Sequence, residues 1–165
     1  MSAGKGRCVV MRRVVIVPWQ DAFHQDYIRL SVAWLEKYVR VEAADEALLY
    51  HPHEAALEKG GMIFFARDGA RNVGTVTMLR TDAETFELAK LAVTEAYQRR
   101  HIGDRLVETG LAYAVAHGAK RVVLFTNSRL YPALCLYRKH GFVQTPLVDN
   151  AYEESDMRME WTPRA

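Results

Sequence analysis

Residues 96–106 read AYQRRHIGDRL, and the reading of this stretch decides the fold. Beyond it, Ile102, Leu106, Val107, Leu111, Ala114 and Val115 recur at helical spacing, so a helix is expected over 102–117 with Gly118 as its stop. Before it, the apolar run TFELAKLAV (85–93) is expected to be a strand. The junction therefore sets Arg99, Arg100 and His101 at a helix N-terminus. Free N–H groups already give that end partial positive charge, and each cation placed there costs about 0.3–1 kcal/mol. A polyphosphate would remove the conflict: amides bind its oxygens, the helix end favours its charge, and arginine adds charge-assisted hydrogen bonds. Taken alone, the stretch is explained equally well as a solvated basic turn.

Working outward, VVIVP (14–18) is an expected strand ended by proline. Residues 22–38 and 43–49 carry apolar residues at broadly helical spacing, and YHPHEAALEKGG (50–61) suggests a turn, a short helix and a glycine stop. MIFFARDGARNVGTVTMLR (62–80) divides into two strands around RDGARN, with Asp68-Gly69 supplying the turn chemistry. RVVLFT (121–126) is strand, PALCLYRKH (132–140) is helix stopped by Gly141, and GFVQT and DMRMEW are the last strands. This order implies a mixed α/β fold around one sheet. Residues 14–165 are expected to form a single domain behind a flexible extension, 1–13.

Composition narrows the function. Of 165 residues, half are apolar and a quarter charged, and the net charge of +2 gives no reason to expect a nucleic-acid or membrane partner. No apolar run approaches a membrane span, and residues 1–10 lack a signal-peptide core. Cys8 and Cys135 stand far apart without metal-ligand spacing, so a cytoplasmic, reducing setting is expected. His51 and His53 lack a third ligand nearby, and no metal site is expected.

Two motifs go further. Gln98-Arg99-Arg100-His101-Ile102-Gly103 resembles the pyrophosphate loop of the GNAT superfamily of N-acetyltransferases, Gln/Arg-x-x-Gly-x-Gly/Ala, between a strand and a helix. His101 stands where the first glycine usually does, and histidine visits left-handed conformations less readily. ALCLYRKHGF (133–142) is similar to the family's Ala-x-x-Leu-Tyr-x-x-x-Gly-Phe segment. Many relatives carry Asn three residues before that alanine; this chain has Leu130 there, and Asn127 is the candidate to serve instead. The likeness covers roughly residues 62–142.

The resemblance implies a central, mostly antiparallel sheet of about six to seven strands flanked by about four helices, with two adjacent parallel strands splayed at the cofactor site. It implies acetyl-CoA as acyl donor, with its pyrophosphate on the amides of Arg99, Arg100, His101, Ile102, Gly103 and Asp104. The pantetheine arm would lie along Leu91, Ala92 and Val93 as an added strand. It further implies direct attack of a primary amine on the thioester, with Glu87 as general base, Tyr137 as general acid beside the sulfur, and an N–H near Ala92 or Val93 donating to the carbonyl oxygen. From the residues alone, Glu87 reads equally as a solvent-facing or Lys90-paired strand residue, and Tyr137 as an aromatic packed on the sheet. In this fold the first helices wall the acceptor pocket, which nominates Trp34 and Tyr38 as substrate contacts. Cys135 reads as a small packing residue.

Acidic residues crowd 36–58, and DNAYEESD (149–156) is acidic too, so a cationic acceptor is expected if these segments line the pocket. A small-molecule or amino-acid-type amine is favoured; a protein lysine or N-terminus remains an alternative, as does a non-catalytic CoA-binding module. A homodimer is possible.

Overall fold

The computed structural model describes residues 13–164. Cys8 and residues 1–12 of the expected extension lie outside them.

Strand β1 (Val15–Pro18) leads into α1 (His24–Tyr38), α2 (Ala43–Tyr50) and a single-turn helix, α3 (Pro52–Ala55). Three strands follow: β2 (Met62–Asp68), β3 (Arg71–Arg80) and β4 (Thr85–Val93). Next come α4 (Ile102–Ala116), β5 (Arg121–Thr126), α5 (Tyr131–Lys139), β6 (Val143–Thr145) and β7 (Met157–Trp161). The seven strands form one sheet in the order β1-β2-β3-β4-β5-β7-β6, and β4–β5 is its parallel pair. The expected α/β architecture is thus observed, with seven strands and five α-helices, one of them a single turn, among the described residues.

The sheet is covered on both faces, which is why β2 reads as an unbroken apolar run rather than an alternating one. Phe64 and Ala66 point into the larger core with Val76, Met78, Phe86, Leu88 and the α4 residues Ile102, Leu106, Val107 and Leu111. Ile63 and Phe65 point the other way, against Phe23, Tyr27, Leu30, Leu48 and Leu49. Each fully buried Leu, Ile or Phe contributes about 1.5–3 kcal/mol relative to exposure. Gly110 lets α4 settle on β3: a Cβ there would lie 2.7 Å from Met78 Sδ. On the opposite face, the Tyr27 hydroxyl and Thr77 Oγ1 are 2.7 Å apart, tying α1 to β3.

Three expectations need correction. The β2–β3 turn is tighter than the six residues RDGARN, because Arg67 and Asp68 continue the ladder, pairing with Asn72 and Arg71. Val115 is 45% exposed and lies off the apolar face of α4. Cys135 is exposed rather than packed: on α5 the residues turned inward are Leu134 and Tyr137, one turn apart, and position 135 faces away from them.

Candidate active site

Strands β4 and β5 pair only from Thr85–Arg121 to Glu87–Val123 and then separate. β5 continues to Thr126 paired with β7 alone, while β4 continues to Val93 paired with β3 alone. Leu88 to Val93 therefore have no strand partner on the β5 side. A strand edge of this kind offers N–H and C=O groups to an extended chain carrying amides of its own. Ala92 is buried, Leu91 and Val93 partly so; Leu91 and Ala92 line the cleft that opens where the strands part, and Val93 lines the neighbouring groove.

At the end of β4 the chain passes through Gln98–His101 into α4. Gln98 donates from Nε2 to Val93 O at 3.1 Å, folding the loop back on its own strand. Arg99 and His101 both adopt left-handed backbone conformations, with φ of 64° and 60°. The histidine thus takes the conformation that glycine takes more easily. Left-handed residues are how a loop turns successive N–H groups into an anion-binding concavity. No side chain caps α4 at His101, so the first-turn amides of Ile102, Gly103 and Asp104 have no capping partner. Gly103 faces α5: a Cβ at that position would lie 3.3 Å from Leu136 Cδ2. The uncapped amides and the open strand edge fit the donor that the resemblance implies.

The side chains around the loop sort themselves by charge. Asp104 takes Lys139 Nζ at 2.9 Å and His140 Nε2 at 2.7 Å on one oxygen, and His101 Nδ1 at 3.2 Å on the other. Burial favours its neutral form, but hydrogen bonds from Lys139, His140 and His101, with the Lys139 charge, outweigh it and hold the carboxyl at about 2. The one acid of the first turn is therefore matched by its neighbours. Arg105 is turned away, donating to Val14 O at 2.6 Å, and Arg100 lies 5.0 Å from the Tyr97 ring centroid. Left-handed geometry at a non-glycine residue stores strain. His101→Gly is therefore expected to raise unfolding stability by about 0.5–1 kcal/mol, after allowing for glycine's extra chain entropy. Denaturant melts of the two proteins check this.

The cleft itself is built by β4, β5, α1, α2, α5 and the segment between β6 and β7. Glu87 and Tyr137 both line it, as do Trp34 and Asn127. Burial raises the Glu87 carboxyl to about 7, opposed by the positive charge of Lys90 and by a hydrogen bond from Tyr152. Burial likewise pushes the Tyr137 phenol up to about 12. Asn127 lines the cleft, but its side chain is engaged: Nδ2 donates to Glu154 O at 2.6 Å, and Oδ1 accepts from Arg129 N at 2.9 Å. It ties down the segment that walls the cleft. Tyr38 packs against Trp34 with ring centroids 5.3 Å apart and planes tilted by 46°, but faces a neighbouring groove with Lys37 and Gln98 and does not line the cleft.

Several lining residues were not singled out by their spacing. Asp45 and Lys90 form a buried ion pair, Tyr152 and Glu154 close one wall, and Glu42 and Ser31 complete the lining. The Glu42 carboxylate accepts Glu153 N at 2.7 Å and Glu154 N at 3.3 Å, pinning that wall to the start of α2. Tyr152 is raised by burial, with the Glu87 and Asp45 charges adding to the effect. Four carboxylates, Glu42, Asp45, Glu87 and Glu154, thus share the cleft with one ammonium, Lys90. The acidic segments 36–58 and 149–156 do meet across it. His51 and His53 remain outside: His53 Nε2 pairs with Asp21 at 2.6 Å, and no metal-ligating cluster occurs among the described residues. Among those residues, no helix is long and apolar enough to cross a membrane.

Comparison with known proteins agrees with this geometry. A family model described as Acetyltransferase (GNAT) family matches residues 19–142. The mycothiol acetyltransferase of Corynebacterium glutamicum (strain R) is 30% identical over 115 residues, covering 62% of this chain and 39% of that protein. The chain therefore aligns with about two fifths of the length of that relative. Among solved structures, an acetyltransferase of GNAT family from Staphylococcus aureus Mu50 superposes with a TM-score of 0.82 at 17% identity, over 91% of this chain and 99% of that one. The Salmonella typhimurium protein yncA, solved with its cofactor acetyl-CoA, gives 0.72 at 15% identity over 90% and 93%. At those identities the two structures speak for the fold.

Proposed function

The chain belongs to the GNAT acetyltransferase family, and from that premise we propose that it transfers acetyl from acetyl-CoA to the primary amine of a small, cationic acceptor. As a member of that family it is an acyltransferase whose acyl donor is acetyl-CoA. The finer reading assigns Glu87 as general base and Tyr137 as general acid. It is carried by one observation: Glu87 and Tyr137 line a single cleft at the point where β4 and β5 part.

Acetyl-CoA supplies an acetyl group already activated as a thioester, so the protein's task is positioning and proton transfer. The open edge of Leu91–Val93 and the amides of Arg99–Asp104 hold the donor, as an added strand and an anion site respectively. An alkylammonium acceptor, with a pKa near ~10.4, must lose a proton before its nitrogen is nucleophilic. Glu87, titrating at about 7, is ionised above neutral pH and close enough to that pH to take the proton efficiently. Tyr137, held near 12, stays protonated throughout and has a proton to give to the departing sulfur. Substrate assignment follows from charge: with Asp45 matched by Lys90 and Glu154 by Arg40, Glu42 and Glu87 remain to favour a cation over an anion. A small acceptor also agrees with the relatives named mycothiol acetyltransferases.

A panel of matched amines tests the acceptor class. Alkyl amines and diamines are expected to turn over at least tenfold more efficiently than α-amino acids of similar size, with kcat/KM falling as salt is added. Equal or greater efficiency with carboxylate-bearing acceptors would overturn the assignment.

A further inference from the structure

The backbone of β4 breaks its own alternation at one place. Phe86 and Leu88 point into the core beneath α4, and Glu87 lines the cleft on the opposite side. Continued alternation would send residue 90 beneath α4 with Phe86 and Leu88. It does not go there. The ladder to β3 pairs Thr77 with Ala89 and Thr75 with Ala92, so Lys90 and Leu91 together oppose Val76 in a β-bulge. Within it Lys90 has φ of 52°, a left-handed conformation that glycine adopts more readily. Such a bulge re-aims a side chain, and strain of this kind collects at functional positions.

The re-aimed ammonium lands in the acceptor cleft. Lys90 Nζ pairs with Asp45 Oδ1, both side chains buried at 7% and 2% exposure, and lies 5.1 Å from the Tyr152 ring centroid. The second oxygen of Asp45 accepts Glu42 N at 2.8 Å. Glu42 in turn holds the amides of Glu153 and Glu154. A continuous chain of charge-assisted contacts thus runs from the β4 bulge through the start of α2 to the wall that carries Tyr152. The groups facing Lys90 are Glu87 on β4, Asp45 and Glu42 at α2, and Tyr152 and Glu154 on the wall; Tyr27 of α1 lies behind them.

We propose that Lys90 is a positioning residue for acetyl transfer. Its ammonium, brought across the sheet by the bulge, anchors α2 and the wall at 152–155 over Glu87 and sets a fixed positive charge beside that carboxylate. The proposal rests on the reading of Glu87 as general base. Lys90 acts through its pairing with Asp45 and exchanges no proton with the acceptor.

The test compares wild type with Lys90→Met and with the double variant Lys90→Met/Asp45→Asn. The double variant leaves neither member of the pair as an unmatched buried charge, so it decides the matter if the single variant does not fold. Acetyl-CoA KM is expected to stay within about twofold, because the donor loop is untouched. The acceptor KM is expected to rise at least tenfold. The acid limb of kcat/KM is expected to move to higher pH, because the charge that opposes burial of Glu87 is gone. A folded Lys90→Met whose limb stays at its wild-type value, or a folded double variant whose acceptor KM stays at its wild-type value, overturns the proposal. Glu87→Gln is measured alongside: wild-type turnover in that variant would remove the general-base reading itself, an outcome separate from any behaviour of Lys90.

Discussion

Glu87→Gln should lower kcat/KM for the acceptor by about 10²–10⁴ and at the same time make the protein more stable. The two effects share one cause. Burial raises the folded-state pKa of Glu87 from an ordinary 4.5 to about 7. Folding therefore favours the protonated form. The stability that the neutral carboxyl contributes is fully present below about pH 4.5 and is lost as pH rises through 7. At pH 8 the wild-type protein thus holds a buried carboxylate that destabilises it. Glutamine keeps the shape without the charge, so Tm at pH 8 should rise, by the equivalent of about 1–3 kcal/mol. The advantage should close as the pH falls from 7 toward 4.5. Activity should follow the complementary course: wild-type kcat/KM climbs through about pH 7 to a plateau. In Glu87→Gln that limb is replaced by a rise governed by the acceptor's own amine pKa. Thermal melts and pH-rate profiles on the same two proteins check both halves. A residue with a merely structural role in the strand would not move the pH limb.

Tyr137→Phe should lower kcat by about 10²–10³ while leaving acetyl-CoA affinity within about twofold. Tyr137 is buried on α5 and packs edge-on against Phe142, with ring centroids 5.9 Å apart. Phenylalanine preserves that contact, so folding and the shape of the cleft should survive. What disappears is the hydroxyl, and with it the proton offered to the sulfur. Steady-state turnover and calorimetric titration with acetyl-CoA separate the two quantities. A loss of affinity in step with kcat would recast Tyr137 as a binding residue only.

The parts of this molecule legible in its sequence are those with local causes. The strand at 85–93 is visible as a short apolar run, and the helix that follows because its apolar residues recur at helical spacing. The loop between them stands out because cations at a helix start contradict the dipole unless an anion is near. His101 was readable as a departure from the resembled motif, and the backbone turns left-handed there all the same. The wall of the cleft facing Glu87 was not legible in the same way. Asp45 and Tyr152 reach Glu87 and Lys90 across 42 to 65 residues of chain, and nothing local marks them as neighbours. The acidic character of both segments was the one clue. Lys90 was hidden for a different reason: simple alternation sends it beneath α4, and only the bulge reverses it. Cys135 shows the opposite case. It was assigned by residue type, whereas helix phase relative to Leu134 and Tyr137 already turns it away from the core.

The central claim is a donor site formed by the open edge of β4 and the amides of Arg99–Asp104, and calorimetric titration tests it most directly. Acetyl-CoA and desulfo-CoA are titrated into wild type and into Gly103→Glu, whose side chain would meet Leu136 and bring a carboxylate to the phosphate amides. The expected result is micromolar-range binding of both compounds to wild type, weakened by at least tenfold in folded Gly103→Glu. Absence of binding by either compound to wild type would contradict a donor site at this loop, and undiminished binding to Gly103→Glu would place it elsewhere.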